Sequence, residues 1–253
     1  MNLTGNTILI TGGGSGIGRG LAEAFHALGN QVVIAGRRRT ALDETTAANP
    51  GMKALPLDIE DPAAVRAFAA QAAAEFPSLN VLINNAGIMR AEKLLAQQDG
   101  LADAEATVTT NLLGPIRLTA ALLPLLQKQP RATIVNVSSG LAFLPLALTP
   151  TYCATKAGIH SYTQSLRYQL RATPIEVLEL IPPYVATDLM SGAANPRAMP
   201  LDKFIAEVMG IFKTQPTPAE ICVEAVKGLR FAAGSGRYDA IFNGLNASMA
   251  DVH

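Results

Sequence analysis

Short runs of consecutive apolar residues alternate with stretches in which apolar positions recur every three or four residues, and this rhythm holds along most of the chain. Thr7–Ile10, Gln31–Ala35, Met52–Pro56, Val81–Asn84, Thr133–Val137 and Glu176–Ile181 are short and mostly apolar, the mark of strands buried on both faces. Helices are predicted for Arg19–Leu28, for residues near 38–48, 62–75, 101–128 and 152–171, and from Pro218 to Phe231. Such alternation implies an α/β domain, a parallel sheet with helices on both faces. No internal repeat, low-complexity tract or linker divides it, so residues 1–253 are read as one domain. The least regular stretch runs from Asp188 to Gln215 and contains Gly192, Pro196, Pro200 and Gly210.

Composition narrows the class. At 49% hydrophobic and 16% charged, the 253 residues can fill one large core. Twenty basic and twenty acidic residues cancel, which argues against nucleic acid or an anionic membrane as partner. The start has no basic segment leading into an apolar run, and no stretch reaches the length of a membrane span, so a cytoplasmic protein is expected. Cys153 and Cys222 are too few for a disulfide framework or metal cluster, and His26, His160 and His253 show no ligand spacing, so no metal is expected.

The first strand runs into Thr11-Gly-Gly-Gly-Ser-Gly-Ile-Gly18, and a helix follows. A helix start offers unpaired N–H groups and the positive end of a dipole, which together hold a pyrophosphate. Gly12, Gly16 and Gly18 would serve the tight turn, the close approach of the phosphate and the packing of helix on strand. Ser15 and Ile17 complete the turn as candidate contacts. Strand, glycine turn and helix make this a dinucleotide site on a Rossmann-type doubly wound sheet, although the spacing is not the common G-x-G-x-x-G.

Strand two ends in Gly36-Arg37-Arg38-Arg39. An NAD site commonly has an acidic residue there for the ribose 2′-hydroxyl, whereas a 2′-phosphate calls for arginine. Glycine makes room and Arg37, with Arg38 assisting, can bind the phosphate, so NADP(H) is expected in preference to NAD(H). The bland alternative is a solvated basic loop, which the position at the ribose site disfavours. After strand three, Asp58-Ile59 stands where Asp58 either meets the adenine amino group or caps the helix beginning at Pro62. In Asn84-Asn85-Ala86-Gly87, small residues would let a flat cofactor lie against the backbone, and the amides can tie strand ends together. Asn111, near Gly114 and Pro115, predicts a break in the long helix that frees a carbonyl.

The chemistry lies between Asn136 and Lys156. Ser138 and Ser139 leave strand five at the carboxyl edge of the sheet, where open α/β folds bind ligands. Tyr152 and Lys156 share a helix face, so an ammonium stands beside a phenol. A free tyrosine has a pKa near 10 and is only about 0.1% ionised at pH 7; a neighbouring cation is expected to lower that pKa. Either serine can hold a substrate oxygen, and the spacing favours Ser139.

These motifs, in order, resemble the classical short-chain dehydrogenase/reductase family from about residue 5 to residue 190. The resemblance implies that Tyr152 is the general acid/base, that Ser139 positions the carbonyl, and that Lys156 tunes Tyr152 and binds the nicotinamide ribose. It also implies that Asn111 helps hold a proton-relay water. Family members usually have Pro-Gly after the sixth strand; this chain has Pro182-Pro183, as in a double-proline branch. By the same resemblance Pro182, Val185 and Thr187 meet the nicotinamide end, and the helices at 101–128 and 152–171 pair copies into a homo-oligomer.

Leu189, Met190, Met199, Leu201, Phe204, Ile205, Met209, Ile211 and Phe212 make the variable stretch at about 188–215 oily, either as a lid over an apolar substrate or as a helix packed on the body. Phe143, Leu144, Leu146 and Leu148 add to that apolar character. The implied activity is hydride transfer between NADP(H) and a small-molecule carbonyl or secondary alcohol. A non-catalytic nucleotide-binding protein on the same fold, or an isomerase or lyase with a resident nucleotide, are the alternatives.

Overall fold

The computed structural model describes residues 1–94, 100–190, 195–214 and 216–249. Among them, seven strands are β1 (Thr7–Thr11), β2 (Gln31–Gly36), β3 (Lys53–Pro56), β4 (Leu79–Asn84), β5 (Ala132–Val137), β6 (Ile175–Ile181) and β7 (Glu220–Cys222). They form one sheet in the order β3-β2-β1-β4-β5-β6-β7, every pair parallel. The chain winds outward from β1 to β3, crosses back to β4 beside β1, and then winds outward the other way. Strand order therefore reverses between β1 and β4, and the crevice at their carboxyl ends is where such sheets take ligands.

The helices are α1 (Gly16–Ala27), α2 (Arg39–Ala48), α3 (Pro62–Glu75), α4 (Ala102–Val108), α5 (Gly114–Leu126), α6 (Pro150–Gln169), α7 (Leu201–Phe212), the short α8 (Lys227–Arg230) and α9 (Tyr238–Met249). Successive strand residues point to opposite faces, and the core divides accordingly. Ile8, Ile10, Val81 and Ile83 pack with Leu21, Phe25, Phe204 and Phe212 on one face. Leu9 and Leu82 pack with Phe68, Leu118, Leu122 and Leu166 on the other. The result is the doubly wound α/β single domain that the pattern predicts.

Two elements, the segment Pro218–Phe231 and helix α9, differ from the sequence reading. Pro218–Phe231 is not one helix: it gives edge strand β7, a turn of 3-10 helix at Glu224–Val226 and then α8. Pairing with β6, where the Glu179 amide donates to the Ala219 carbonyl at 2.9 Å, overrides the local period. The oily stretch contains α7, which buries Phe204, Val208, Met209 and Phe212; the Phe212 ring meets Phe25 of α1 edge-on at 5.7 Å. Its apolar side is thus spent on the body of the domain. Residues 191–194 and 215 of that stretch, with Gly192, lie outside the described residues, as does His253. Helix α9 has no counterpart in the sequence reading. No helix among the described residues is long and apolar enough to cross a membrane.

Candidate active site

A single cavity of about 550 Å³ opens at the carboxyl ends of β1, β4 and β5. One end is formed by the glycine turn. Gly12 and Gly16 have φ of +68° and +51°, conformations that side-chain-bearing residues rarely adopt. At Gly18 a Cβ would fall 2.3 Å from the Gly12 carbonyl oxygen and 2.5 Å from Asn85 Nδ2. Gly18 therefore closes the turn against β4 and does not itself line the cavity, whereas Gly12, Ser15, Gly16 and Ile17 do. Gly13, passed over in the sequence, is equally constrained: its Cβ would sit 2.5 Å from Ile34 Cγ2.

The asparagine segment ties strand ends together in two directions. Thr11 Oγ1 accepts from the amides of Asn85 and Ala86, both at 3.0 Å, and Asn85 Nδ2 returns to the Thr11 carbonyl at 2.9 Å. Asn84 Nδ2 donates to Asn136 Oδ1 at 2.8 Å, and Asn136 Nδ2 donates to Thr163 Oγ1 at 2.9 Å, linking β4, β5 and α6. Rigid strand ends leave Asn85, Ala86 and Gly87 as a flat stretch of cavity wall.

At the end of β2, Arg37 and Arg38 line the cavity, while Arg39 turns back along α2 to Asp43. Arg38 Nη2 reaches across to Ser15 Oγ at 2.7 Å. Arg37 Nη1 is paired with Glu60 Oε1 at 2.7 Å, and that oxygen also accepts from Thr110 Oγ1 at 2.6 Å. Arg37 is thus already paired with a carboxylate, whereas Arg38 is bonded to a hydroxyl. Ile59 lines the cavity; Asp58 does not. Asp58 is neither at the cavity wall nor the helix cap, because its Oδ1 accepts from the Glu60 amide and Asp61 caps α3 at the Ala63 amide.

The other end of the cavity gathers Ser139, Tyr152 and Lys156. Ser139 leaves β5 with its Oγ accepting from the Leu141 amide at 3.1 Å, on the same cavity wall as Tyr152. Ser138 is engaged elsewhere, donating to the buried Glu179 carboxylate at 2.6 Å. Lys156 Nζ donates to the Val137 carbonyl at 2.9 Å and lies 5.6 Å from the Tyr152 ring centre. Contrary to the sequence expectation, the Tyr152 pKa is not lowered. Burial pushes it up to about 12, with the nearby Ser139 side chain opposing only in part. Burial also brings Lys156 down to about 8. Taking the phenolate out of water outweighs an ammonium at that distance.

The break around Asn111 is a π-helical turn, Thr109–Leu113, between α4 and α5. Asn111 is buried behind the wall and grips the Ile88 peptide from both sides: Oδ1 accepts from its amide and Nδ2 donates to its carbonyl, both at 2.8 Å. After β6, Pro182, Pro183, Tyr184, Val185 and Thr187 line the cavity, with Thr187 over the glycine turn. A bridge to Met199 uses the Tyr184 carbonyl and the Ala186 amide, so the peptide groups of Val185 face the opposite side.

Several side chains at this end went unread in the sequence. Met89, Leu141, Leu229 and Leu245 make it apolar, and Leu245 comes from α9, held by Asn246, whose Oδ1 accepts from the Ala147 amide at 2.6 Å. His160, Glu179 and Glu220 also converge, their ligand-type atoms within 4.8 Å. There His160 Nδ1 meets Glu179 at 2.8 Å, while Arg230 holds Glu220 with two bonds. Cys153 is buried with its thiol pKa raised by burial, which removes it as a reactive thiol.

Comparison with known proteins agrees with this geometry. Residues 6–197 match the family model for short chain dehydrogenases. The chain is 39% identical over 251 residues to the uncharacterized oxidoreductase DltE of Bacillus subtilis (strain 168), covering 97% of this chain and 98% of that one. Among solved structures, a short-chain dehydrogenase from Streptomyces avermitilis superposes with a TM-score of 0.81 at 26% identity, covering 97% of this chain and 99% of that one. The closed form of serine dehydrogenase complexed with NADP+ superposes with a TM-score of 0.75 at 25% identity, covering 85% and 92%. By sequence match and by fold, the chain belongs to the short-chain dehydrogenase family.

Proposed function

We propose that the protein is an NADP(H)-preferring oxidoreductase that interconverts a carbonyl and a secondary alcohol on an apolar small molecule. The observation that carries this reading is one cavity with a glycine-built, arginine-flanked end and a Ser139–Tyr152–Lys156 end. The residues present suit a nicotinamide dinucleotide: Gly12 and Gly16 present bare backbone at the start of α1, and Arg37 and Arg38, lining the cavity at the end of β2, would hold a 2′-phosphate. The serine dehydrogenase relative solved with NADP+ supports the same cofactor form.

When bound, NADP(H) supplies or accepts the hydride. The protein's own residues do the rest. Ser139 Oγ and the Tyr152 hydroxyl, lining the same cavity, hold the substrate oxygen between them. Tyr152, protonated at neutral pH, gives that oxygen its proton in reduction and takes it back in oxidation. Lys156, cationic below about pH 8, favours the phenolate once formed. Asn111 fixes the Ile88 peptide, and Val185, on the cavity wall, would offer its peptide groups to the nicotinamide. Met89, Leu141, Leu146 and Leu245 exclude water from the substrate.

Incubation with NADPH and a panel of ketones and aldehydes, followed by absorbance, tests this. Steady oxidation of NADPH with at least one apolar carbonyl is expected. Tight NADPH binding without turnover on any member would instead mark a nucleotide-binding protein that has lost catalysis.

A further inference from the structure

Helix α6 carries Tyr152 and Lys156, yet its first turn is held by a residue far away in sequence. The residue at its cap position, Thr149, makes no side-chain cap bond. Glu92 takes that place: Oε1 accepts from the Thr151 amide at 3.0 Å and Oε2 from the Thr151 hydroxyl at 2.8 Å. The Glu92 amide in turn donates to the Leu148 carbonyl at 2.9 Å. A carboxylate there meets the helix's unpaired N–H groups and the positive end of its dipole.

Residues 88–92 thereby form a strap with two anchors. At one end Asn111 clamps the Ile88 peptide and also reaches Thr155 Oγ1 of α6 at 3.3 Å. At the other, Glu92 holds Thr151, the residue directly before Tyr152. Met89 and Arg90, between the anchors, line the cavity, and Arg90 turns toward Asp103 at 3.7 Å. The strap therefore shapes the substrate wall and fixes the turn that aims the phenol.

We propose that Glu92 is a positioning residue for Tyr152, fixing the first turn of α6 so that the phenol meets Ser139 and the substrate oxygen. This rests on the acid/base role given to Tyr152 above. Displacement of a reacting group by about 1 Å can cost about a hundredfold in rate.

Glu92→Ala and Glu92→Gln test the idea, with hydrogen exchange and kinetics on each. Glutamine keeps an acceptor for the Thr151 amide and a donor for its hydroxyl while dropping the charge. Without any substrate, Glu92→Ala should speed amide exchange at residues 151–153 and leave the sheet unchanged; unaltered exchange there overturns the anchor. In turnover, Glu92→Ala should lower kcat about ten- to a hundredfold at unchanged NADPH affinity, and Glu92→Gln should recover most of it. Loss of kcat and NADPH affinity in parallel, unrescued by glutamine, would mean a merely structural contact and overturn the positioning role. Wild-type kcat in Glu92→Ala would do the same. A Tyr152→Phe variant that stays active would instead overturn the reading beneath it, while the exchange result stands.

Discussion

The glycine-turn end of the cavity is made of backbone, and the tyrosine end is made of side chains. At the first, bare glycines, a helix start and strand ends bonded through Thr11 and Asn85 form the walls. At the second, the walls come from Met89, Leu141, Leu146, Tyr184, Leu229 and Leu245, drawn from separate segments of the chain. The glycine turn tolerates few changes, because a Cβ at Gly12 or Gly18 meets neighbouring backbone at 3.0 Å or less. A side-chain site can be re-lined without disturbing the fold. Under the proposed function, the first end would bind a constant cofactor while the second sets the substrate.

If that division holds, variants at each end should have separable effects. The largest is expected from Tyr152→Phe, which should lower kcat about 10²–10⁴-fold and leave NADPH affinity unchanged by fluorescence titration. Retention of more than about a tenth of wild-type kcat would remove Tyr152 as the acid/base.

Next come the arginines. Losing a charged hydrogen bond worth about 1.5–3 kcal/mol corresponds to about ten- to a hundredfold in affinity. Arg38→Leu should weaken NADPH by about that factor and spare NADH, with Arg37→Leu weaker in effect because Glu60 already engages Arg37. Gly36→Asp is sterically allowed, the nearest atom to an added Cβ being Leu42 Cδ2 at 3.8 Å. It should shrink or invert the preference for NADPH. Equal binding of NADH and NADPH by the wild type would make the arginine run a solvated loop.

The pH profile sharpens the tyrosine end. A phenol pushed up to about 12 stays protonated across the neutral range, so the rate of reduction should be level there. Oxidation needs the phenolate and should climb up to about tenfold per pH unit. Below about pH 8, where Lys156 is cationic, Lys156→Met should lower the oxidation rate, because the cation favours the phenolate. An unchanged profile in an active Lys156→Met variant would separate the two residues. The smallest effect is expected from Leu245→Ala, which should raise KM for an apolar carbonyl about fivefold without touching NADPH binding, a change of the size expected for partly lost apolar contact.

The same contrast explains what was legible in the sequence. The glycine turn, the Tyr152–Lys156 spacing and the helix break at Asn111 are local, since each depends on residues within a turn or two of one another. The doubly wound sheet was legible because buried parallel strands need continuous apolar runs. Edge strand β7 was not, because three residues carry no period and only its partner β6 makes it a strand. The cap of α3 was ambiguous between Asp58 and Asp61, and Asp61, three residues on, takes it. The lowered Tyr152 pKa expected from a neighbouring lysine failed because burial is a property of the assembled fold. Glu92 on Thr151 and Leu245 in the wall join segments that no spacing rule connects.

The central claim is that hydride passes between the nicotinamide and a carbonyl carbon held by Ser139 and Tyr152. It is tested most directly by supplying NADPH deuterated at the transferring C4 position with a carbonyl that the enzyme consumes, and locating the label by mass spectrometry. The account predicts an alcohol carrying the deuterium on its carbinol carbon, formed in step with NADPH oxidation and lost with Tyr152→Phe. Product without deuterium, or product formed with no net oxidation of NADPH, would contradict it.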